Sequence, residues 1–366
     1  MEVKRYTNNT IAEIELPRPF DGHGHPRRDE LLRLVGPMMA KRFASGIVMP
    51  NTKPPITSRL VASEYRDDIL HSTDHRFSPL MTLYLTDTLD PAELNEMRTW
   101  GIYGVKYYPK GLTTNSDSGV FSPSSLWTPG TNAFNVLRKL AEEGGVLLLH
   151  AADGFDKNNN ELDPYDQEPH FIRESLPRVK DAHPDLKISV EHLSTAVGAE
   201  FMFKNGGYKL GCSITLHHLT KDRRDVFRGG FRPHLMWWPI IQPAEHKEAI
   251  QALAIADKRF VWLGTDSAPH PVSSKRADCC MGGVLTHHMA LEGYVEAFED
   301  LGALDDRFER FASINGPKFF GFPPSIKTIT LVREDWTVKN SYLTEGLQEE
   351  IIPFRYGETM RWKIQD

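Results

Sequence analysis

The chain has 366 residues, 40% of them hydrophobic and 25% charged, ordinary proportions for a globular protein with a large buried core. Its formal net charge of −6 gives no suggestion of a polyanionic partner, so no nucleic acid is expected. No apolar stretch follows Met1-Glu2-Val3-Lys4-Arg5, and the longest apolar runs, such as 145–149, are far too short to cross a bilayer. The expectation is therefore a cytoplasmic protein with no secretory signal and no membrane partner. The three cysteines, Cys212, Cys279 and Cys280, fit reduced thiols better than a disulfide framework. The vicinal pair Cys279-Cys280 lacks the Cys-x-x-Cys spacing of zinc sites.

Along the chain, short apolar runs alternate with amphipathic, charged stretches. A strand over 18–23 leads into His23-Gly24-His25, and apolar Leu31, Leu32, Leu34 and Val35 mark a helix over 29–43. A strand over 46–50 precedes a helix over 59–70, and a strand over 78–85 precedes a helix over 91–99. Next come a strand over 103–108, a helix over 133–143, and strands over 146–150, 188–192 and 210–216. A helix over 245–258, a strand over 260–265 and a helix over 285–298 complete the alternation. Beyond about Pro323 the pattern changes to β-like pieces at 328–332, 342–343 and 360–364. This tail is expected to pack on the barrel or to pair with the N-terminal segment.

Continuous apolar strands between amphipathic helices imply a parallel sheet covered by helices. Eight such units favour a closed barrel over an open sheet, and no Gly-x-Gly-x-x-Gly turn follows the first strand to favour a dinucleotide fold. The expected architecture is an α/β (β/α)8 TIM barrel with short N- and C-terminal extensions. It forms one domain over 1–366, with the core at about 18–320 and the C-terminal extension at about 323–366.

The strand ends carry the chemistry, because barrel enzymes build their sites at the C-terminal ends of their strands. His23 and His25, two apart, point to one side of a strand, and neutral imidazoles there suit a divalent transition metal. A lone His-x-His pair is as readily a surface feature. His150 and His192 also close apolar strands, and four histidines at strand ends fit a set of unrelated core histidines poorly. Lys106 lies in an otherwise apolar and aromatic strand. It is either a lysine snorkelling to solvent or a buried amine of depressed pKa that can capture carbon dioxide as a carbamate. Asp266 ends the last strand, where burial is costly without a cation or metal beside it, and His270 follows.

Taken in order, His-x-His, Lys, His, His, Asp resembles the ligand set of the amidohydrolase superfamily with a binuclear metal site. Several phrases resemble the single-domain bacterial dihydroorotases. They are Ile47-Val48-Met49-Pro50-Asn51-Thr52, Thr113-Thr114-Asn115-Ser116, Glu191-His192, Arg232-Pro233-His234-Leu235, Gly264-Thr265-Asp266-Ser267-Ala268-Pro269-His270 and Asn315-Gly316-Pro317. The resemblance runs from about Phe20 to the C-terminus. Ala151-Ala152-Asp153, where Gly-Glu is the family pattern, and Lys110-Gly111-Leu112 depart from it without touching a proposed ligand.

The resemblance implies two divalent metal ions, with zinc favoured by the histidine-rich set. His23, His25, Lys106 as N6-carboxylysine and Asp266 would hold one metal, and Lys106, His150 and His192 the other. Arg27, Asn51 and His270 would bind a substrate carboxylate, Thr113 and Thr114 would ride on a mobile loop, and Trp238 and Gly282 would offer backbone groups to a pyrimidine ring. The implied reaction is the reversible cyclisation of N-carbamoyl-L-aspartate to L-dihydroorotate by metal-activated hydroxide, with Asp266 as proton shuttle. The small-molecule substrate is the expected partner, and analogy with the family adds a homodimer. Rival readings are another cyclic amidase (a hydantoinase, dihydropyrimidinase or allantoinase) that shares the ligands, and a non-catalytic scaffold, which predicts lost ligands.

Overall fold

The computed structural model describes residues 1–5, 10–344, 346 and 348–365. Its central sheet has eight strands: β1 (Phe20–Gly24), β2 (Ser45–Val48), β3 (Ser78–Tyr84), β4 (Ile102–Tyr107), β5 (Val146–Leu149), β6 (Lys187–Val190), β7 (Leu210–Ile214) and β8 (Val261–Leu263). They lie in sequence order, every adjacent pair parallel. The seam between β8 and β1 has no regular ladder. It is closed by Asp266 N–H donating to His23 O at 2.7 Å and His25 N–H donating to Ser267 O at 3.2 Å. This is the (β/α)8 barrel that the alternation predicts.

All eight predicted strands form, although β2 to β8 stop short of the predicted ends. His150, His192, Asp266 and their neighbours therefore stand just beyond the regular strands, in the loops of the mouth. Inside the barrel Phe20, Ile47, Leu80, Val146, Leu148 and Trp262 form one apolar cluster, closed from below by Phe319 and Phe320 of the last barrel helix, Asn315–Phe320. Trp262 needs space that only glycine gives. A Cβ at Gly211 would sit 2.3 Å from its ring and one at Gly22 2.5 Å from it.

Helices Asp29–Arg42, Arg59–Ser72, Asn132–Glu142 and Ala244–Ala254 appear close to their predicted places. Ser58 and Thr131 cap the second and third of these through their hydroxyl oxygens. The helix expected over 91–99 does not form. Only a 3-10 turn, Pro91–Leu94, is present, because the chain turns left-handed at Glu96 (φ 52°). The helix expected over 285–298 begins at Ala290, since the backbone N–H groups of Thr286 and His287 donate instead to Ser267 Oγ. The helical stretches that escape the apolar-spacing reading include Ala196–Asn205, a run from Gln167 to Ala182 broken by the π-turn Phe171–Ser175, and a run from Asp306 to Phe320 that contains a second π-turn, Arg310–Ile314.

The tail pairs with the N-terminal segment. Thr328–Thr337 lies antiparallel between Ile11–Pro17 and Thr359–Ile364, and Glu2–Arg5 completes a four-stranded sheet. Among the described residues no helix is long and apolar enough to cross a membrane.

One buried ion pair ties the first barrel helix to the last long one. Arg42 donates from Nε and Nη2 to the two oxygens of Glu292, at 2.8 and 2.7 Å, with the residues 6% and 2% exposed. Breaking one side leaves an uncompensated buried charge. Arg42→Met is therefore expected to lower the unfolding free energy by about 3–5 kcal/mol in urea titration. The double variant Arg42→Met with Glu292→Leu is expected to recover most of that loss.

Candidate active site

The mouth of the barrel holds one cavity lined by His23, His25, Arg27, Asn51, Thr113, Thr114, His150, His192, Trp238, Asp266 and Gly282. Eleven of the thirteen residues singled out in the sequence thus share one space. The other two adjoin it. His270 meets Arg27 Nη2 through Nε2 at 2.9 Å. Lys106 is fully buried, with its Nζ 5.0 Å from the ring centre of Tyr108, which also lines the cavity.

Strand geometry sets the first group. His23 and His25 flank Gly24 at the end of β1, and their Nε2 atoms lie 3.2 Å apart. Asp266 Oδ1 lies 3.1 Å from His25 Nε2 and 3.4 Å from His23 Nε2. Across the mouth, His150 Nδ1 lies 3.1 Å from His192 Nε2, and the His23 and His192 rings are 5.1 Å apart centre to centre. The second histidine pair is therefore continuous with the first group.

These separations fit a metal. Donor atoms about 2.0–2.1 Å from a tetrahedral ion lie roughly 3.3 Å from one another. Among the described residues His23, His25 and Asp266 also form a buried cluster with all donor atoms within 4.8 Å. Burial holds His23, His25, His150 and His192 well below the ordinary histidine range, so the rings are neutral lone-pair donors. Lys106 Nζ and His192 Nδ1 are buried without hydrogen-bond partners, and Lys106 adds to the forces that oppose protonation of all four rings. Burial also lowers the Lys106 pKa, against the attraction of Glu191 and Asp266. An amine so placed is a candidate for conversion to a carbamate. Burial pushes Asp266 up to about 7, with Lys106 and Arg27 pulling it down.

Several residues that support these groups carry only a weak sequence signal of their role. Glu191, 1% exposed, accepts from His23 Nδ1 at 2.6 Å, which turns the Nε2 lone pair toward the cavity. Its own oxygens accept from Ser189 Oγ and, at 3.0 Å, from Ser213 Oγ. Ser213 Oγ in turn accepts from the His192 N–H at 2.9 Å. Asp21, on the same face of β1 as His23, accepts from His23 N and Thr265 N at 3.1 and 2.8 Å. The weak signal for both acids was a carboxylate inside an apolar strand.

The other wall is polar. Arg27 Nε donates to Pro269 O at 3.3 Å, so this guanidinium, two residues after His25, is tied to the loop after β8. The Thr113-Thr114 loop lies over the mouth. Thr114 Oγ1 donates to Gly282 O at 2.9 Å, and Asn51 Nδ2 donates to Thr114 O at 3.3 Å. Trp238 packs against Gly282, where a Cβ would meet its ring at 2.4 Å.

Eight parallel strands with metal-competent imidazoles and a buried aspartate at their C-terminal ends define a barrel hydrolase of the amidohydrolase type. No family model matches the chain. A dihydroorotase from Hahella chejuensis is 40% identical over 358 residues, covering 97% of this chain and 99% of that protein. The crystal structure of dihydroorotase from Saccharomyces cerevisiae in complex with 5-fluoroorotic acid superposes with a TM-score of 0.87 at 27% identity, covering 97% of this chain and 99% of that one. The structure of dihydroorotase from Campylobacter jejuni gives 0.85 at 29% identity, with 97% and 98% covered. The chain belongs to the dihydroorotase family.

The Glu191 contact makes a prediction. Glu191→Gln keeps the shape but removes the charge that orients His23. It is expected to weaken metal affinity about 10–100-fold, as read by chelator competition with metal analysis of the recovered protein. Unchanged affinity would exclude Glu191 from that role.

Proposed function

We propose that this chain catalyses the reversible interconversion of N-carbamoyl-L-aspartate and L-dihydroorotate, and that it does so in the cytoplasm. The observation that carries the reading is a guanidinium, Arg27 with His270 against it, on the wall of a cavity that also holds the four histidines and Asp266; such a fork suits a substrate carboxylate. A neutral cyclic amide would have no need of that cation. Family membership at 40% identity over almost the whole chain supports the same reaction.

In this reading His23, His25 and Asp266 would hold one divalent ion, His150 and His192 would hold a second, and Lys106, as its carbamate, would supply oxygen ligands to the pair. The donor set, imidazole with carboxylate, suits zinc. The carbamate forms when neutral Nζ adds to the carbon of carbon dioxide, making an N–C bond and releasing one proton. When bound, the ions supply Lewis acidity and lower the pKa of water at the site.

The remaining work falls to the chain's own residues. Arg27 offers a bidentate fork to the substrate carboxylate, with Asn51 and His270 completing its cradle. The backbone at Trp238 and Gly282 faces the ring. Thr113 and Thr114 cover the mouth, exclude water and can donate to substrate oxygens. In hydrolysis the oxygen of water bonds to the ring amide carbon and the C–N bond breaks. Asp266 takes the proton from the attacking water and passes it to the departing nitrogen. Cyclisation runs the same steps in reverse, and a homodimer remains the expected assembly by family analogy.

Turnover of dihydroorotate, with and without chelator, tests the reading. Activity is expected to vanish on chelation and to return with zinc. Faster turnover of hydantoin than of dihydroorotate would hand the reading to a hydantoinase. Lys106→Ala is expected to lose most activity and metal, with partial rescue by short-chain carboxylic acids. Full activity in that variant would remove the carbamate from the account. Arg27→Met is expected to raise KM for carbamoyl aspartate roughly 10–100-fold with metal content unchanged, because it deletes a charge-assisted pair.

A further inference from the structure

Behind the cavity, out of contact with any candidate ligand, lies a second buried lysine. Lys275 is 3% exposed, at the end of the short helix Val272–Lys275 in the loop after β8. Its ammonium donates to three backbone carbonyls: Met236 O at 2.7 Å, Met281 O at 2.9 Å and Gly283 O at 3.0 Å. An ammonium has three N–H donors, so each finds one oxygen. Desolvation favours the neutral amine, and burial does lower this lysine's pKa, to about 8. Three oriented carbonyl dipoles are what offset the burial of a charge with no carboxylate among its hydrogen-bond partners.

Where those carbonyls sit gives the lysine its significance. Met281 and Gly283 flank Gly282, so the ammonium grips the chain on both sides of that residue. Gly282 lines the cavity, supports the Trp238 ring, and offers the carbonyl on which Thr114 docks. Met236 is two residues before Trp238, in the loop after β7, and its carbonyl also accepts from the Gly283 N–H at 3.0 Å. One cation therefore joins the loops after β7 and β8 at the place where both face the cavity. Among the described residues, backbone–backbone hydrogen bonds supply a single tie there, from Gly283 N–H to Met236 O.

We propose that Lys275 is a positioning residue for substrate: its ammonium fixes the spacing of Trp238 and Gly282, and through Gly282 O it fixes the acceptor on which the Thr114 loop closes. The inference rests on the substrate reading above, in which those backbone groups face the ring. Because the lysine touches neither the ligand set nor Arg27, its effect falls on binding and closure and leaves the bond-breaking groups in place.

The test compares Lys275→Met, which keeps the stem and deletes all three donors, with Lys275→Arg, which keeps the charge but cannot direct three N–H groups from one nitrogen to the three carbonyls. For Lys275→Met, KM for dihydroorotate is expected to rise roughly tenfold, with kcat within about threefold and metal content unchanged, the pattern of lost binding that does not depend on the transition state. Backbone amide exchange over 236–238 and 281–283 is expected to quicken in both segments together. Lys275→Arg is expected to fall between the wild type and the methionine variant in both readouts. If Lys275→Met does not accumulate as folded protein, Lys275→Arg alone decides, and a KM equal to wild type overturns the proposal. An unchanged KM in a folded Lys275→Met, or an equal fall in kcat and metal content, overturns it too. Should the wild type turn over hydantoin and not dihydroorotate, the substrate reading fails. The same KM and exchange comparison, run on hydantoin, then still decides whether Lys275 positions the wall.

Discussion

Closure of the barrel at the level of the site is the constraint on which the rest depends. β8 has only three residues, and no ladder joins it to β1. The work is done by Asp21, 1% exposed, whose carboxylate accepts from the backbone N–H groups of His23 and Thr265 and from the Thr265 hydroxyl at 2.7 Å, and meets His287 Nε2 at 2.8 Å. A buried carboxylate with this many donors is a strong local tie, and removing any donor would leave it underpaired. The same tie sets the distance from His23 and His25, on β1, to Asp266, after β8. The metal-competent cluster is thus a consequence of how the seam closes.

Burial then decides the protonation states. In water these histidines would titrate near neutrality, and the acids and Lys106 would be charged. Inside the mouth, desolvation drives the imidazoles neutral and lowers the Lys106 pKa, while it raises those of Asp266 and Glu191. The outcome is a set of lone pairs with few hydrogen bonds of their own, which suits a divalent cation far better than it suits an apolar core. The scaffold reading predicts lost ligand positions, and all of these are filled.

Much of this was legible in the sequence because it follows from period and position. Continuous apolar runs give buried parallel strands, and a polar residue where such a run stops falls at the mouth of a barrel. That logic reaches His150, His192 and Asp266 without knowledge of any contact. It does not reach Arg27 against His270, residues 243 apart in sequence, whose proximity follows only from barrel closure. Nor does it reach Glu191, which reads as the neighbour of a histidine and acts on a different one, His23. Lys275 sits in a run of polar residues and looks solvated, yet three carbonyls from two segments bury it. The absent helix over 91–99 fails for a local reason: its apolar spacing is sound, but the backbone turns left-handed at Glu96.

The backbone at the site carries a further signature of what the mouth must do. Arg27, His192 and Asp266 all have left-handed φ angles, 67°, 41° and 44°, although none is glycine. Such conformations cost on the order of 1–3 kcal/mol each and persist only where surrounding contacts over-determine them. Here each has an identifiable restraint. The Arg27 carbonyl accepts from Tyr65 OH at 2.6 Å, and Asp266 N–H donates to His23 O at 2.7 Å. His192 N–H donates to Ser213 Oγ, and the loop after it is gripped by buried Glu168, which accepts from the N–H and hydroxyl groups of both Ser194 and Thr195. A relaxed β-region φ at any of the three would swing its side chain off the common cavity, because a strand alternates its side chains between faces. The left-handed turn lets a residue just past the end of a strand aim inward where the regular pleat would not. Left-handed φ angles also occur at residues that do not line the cavity, among them Asp74, Glu96 and Asp257; at Arg27, His192 and Asp266 the hydrogen bonds that hold the conformation come from neighbouring strands and helices rather than from the loops themselves.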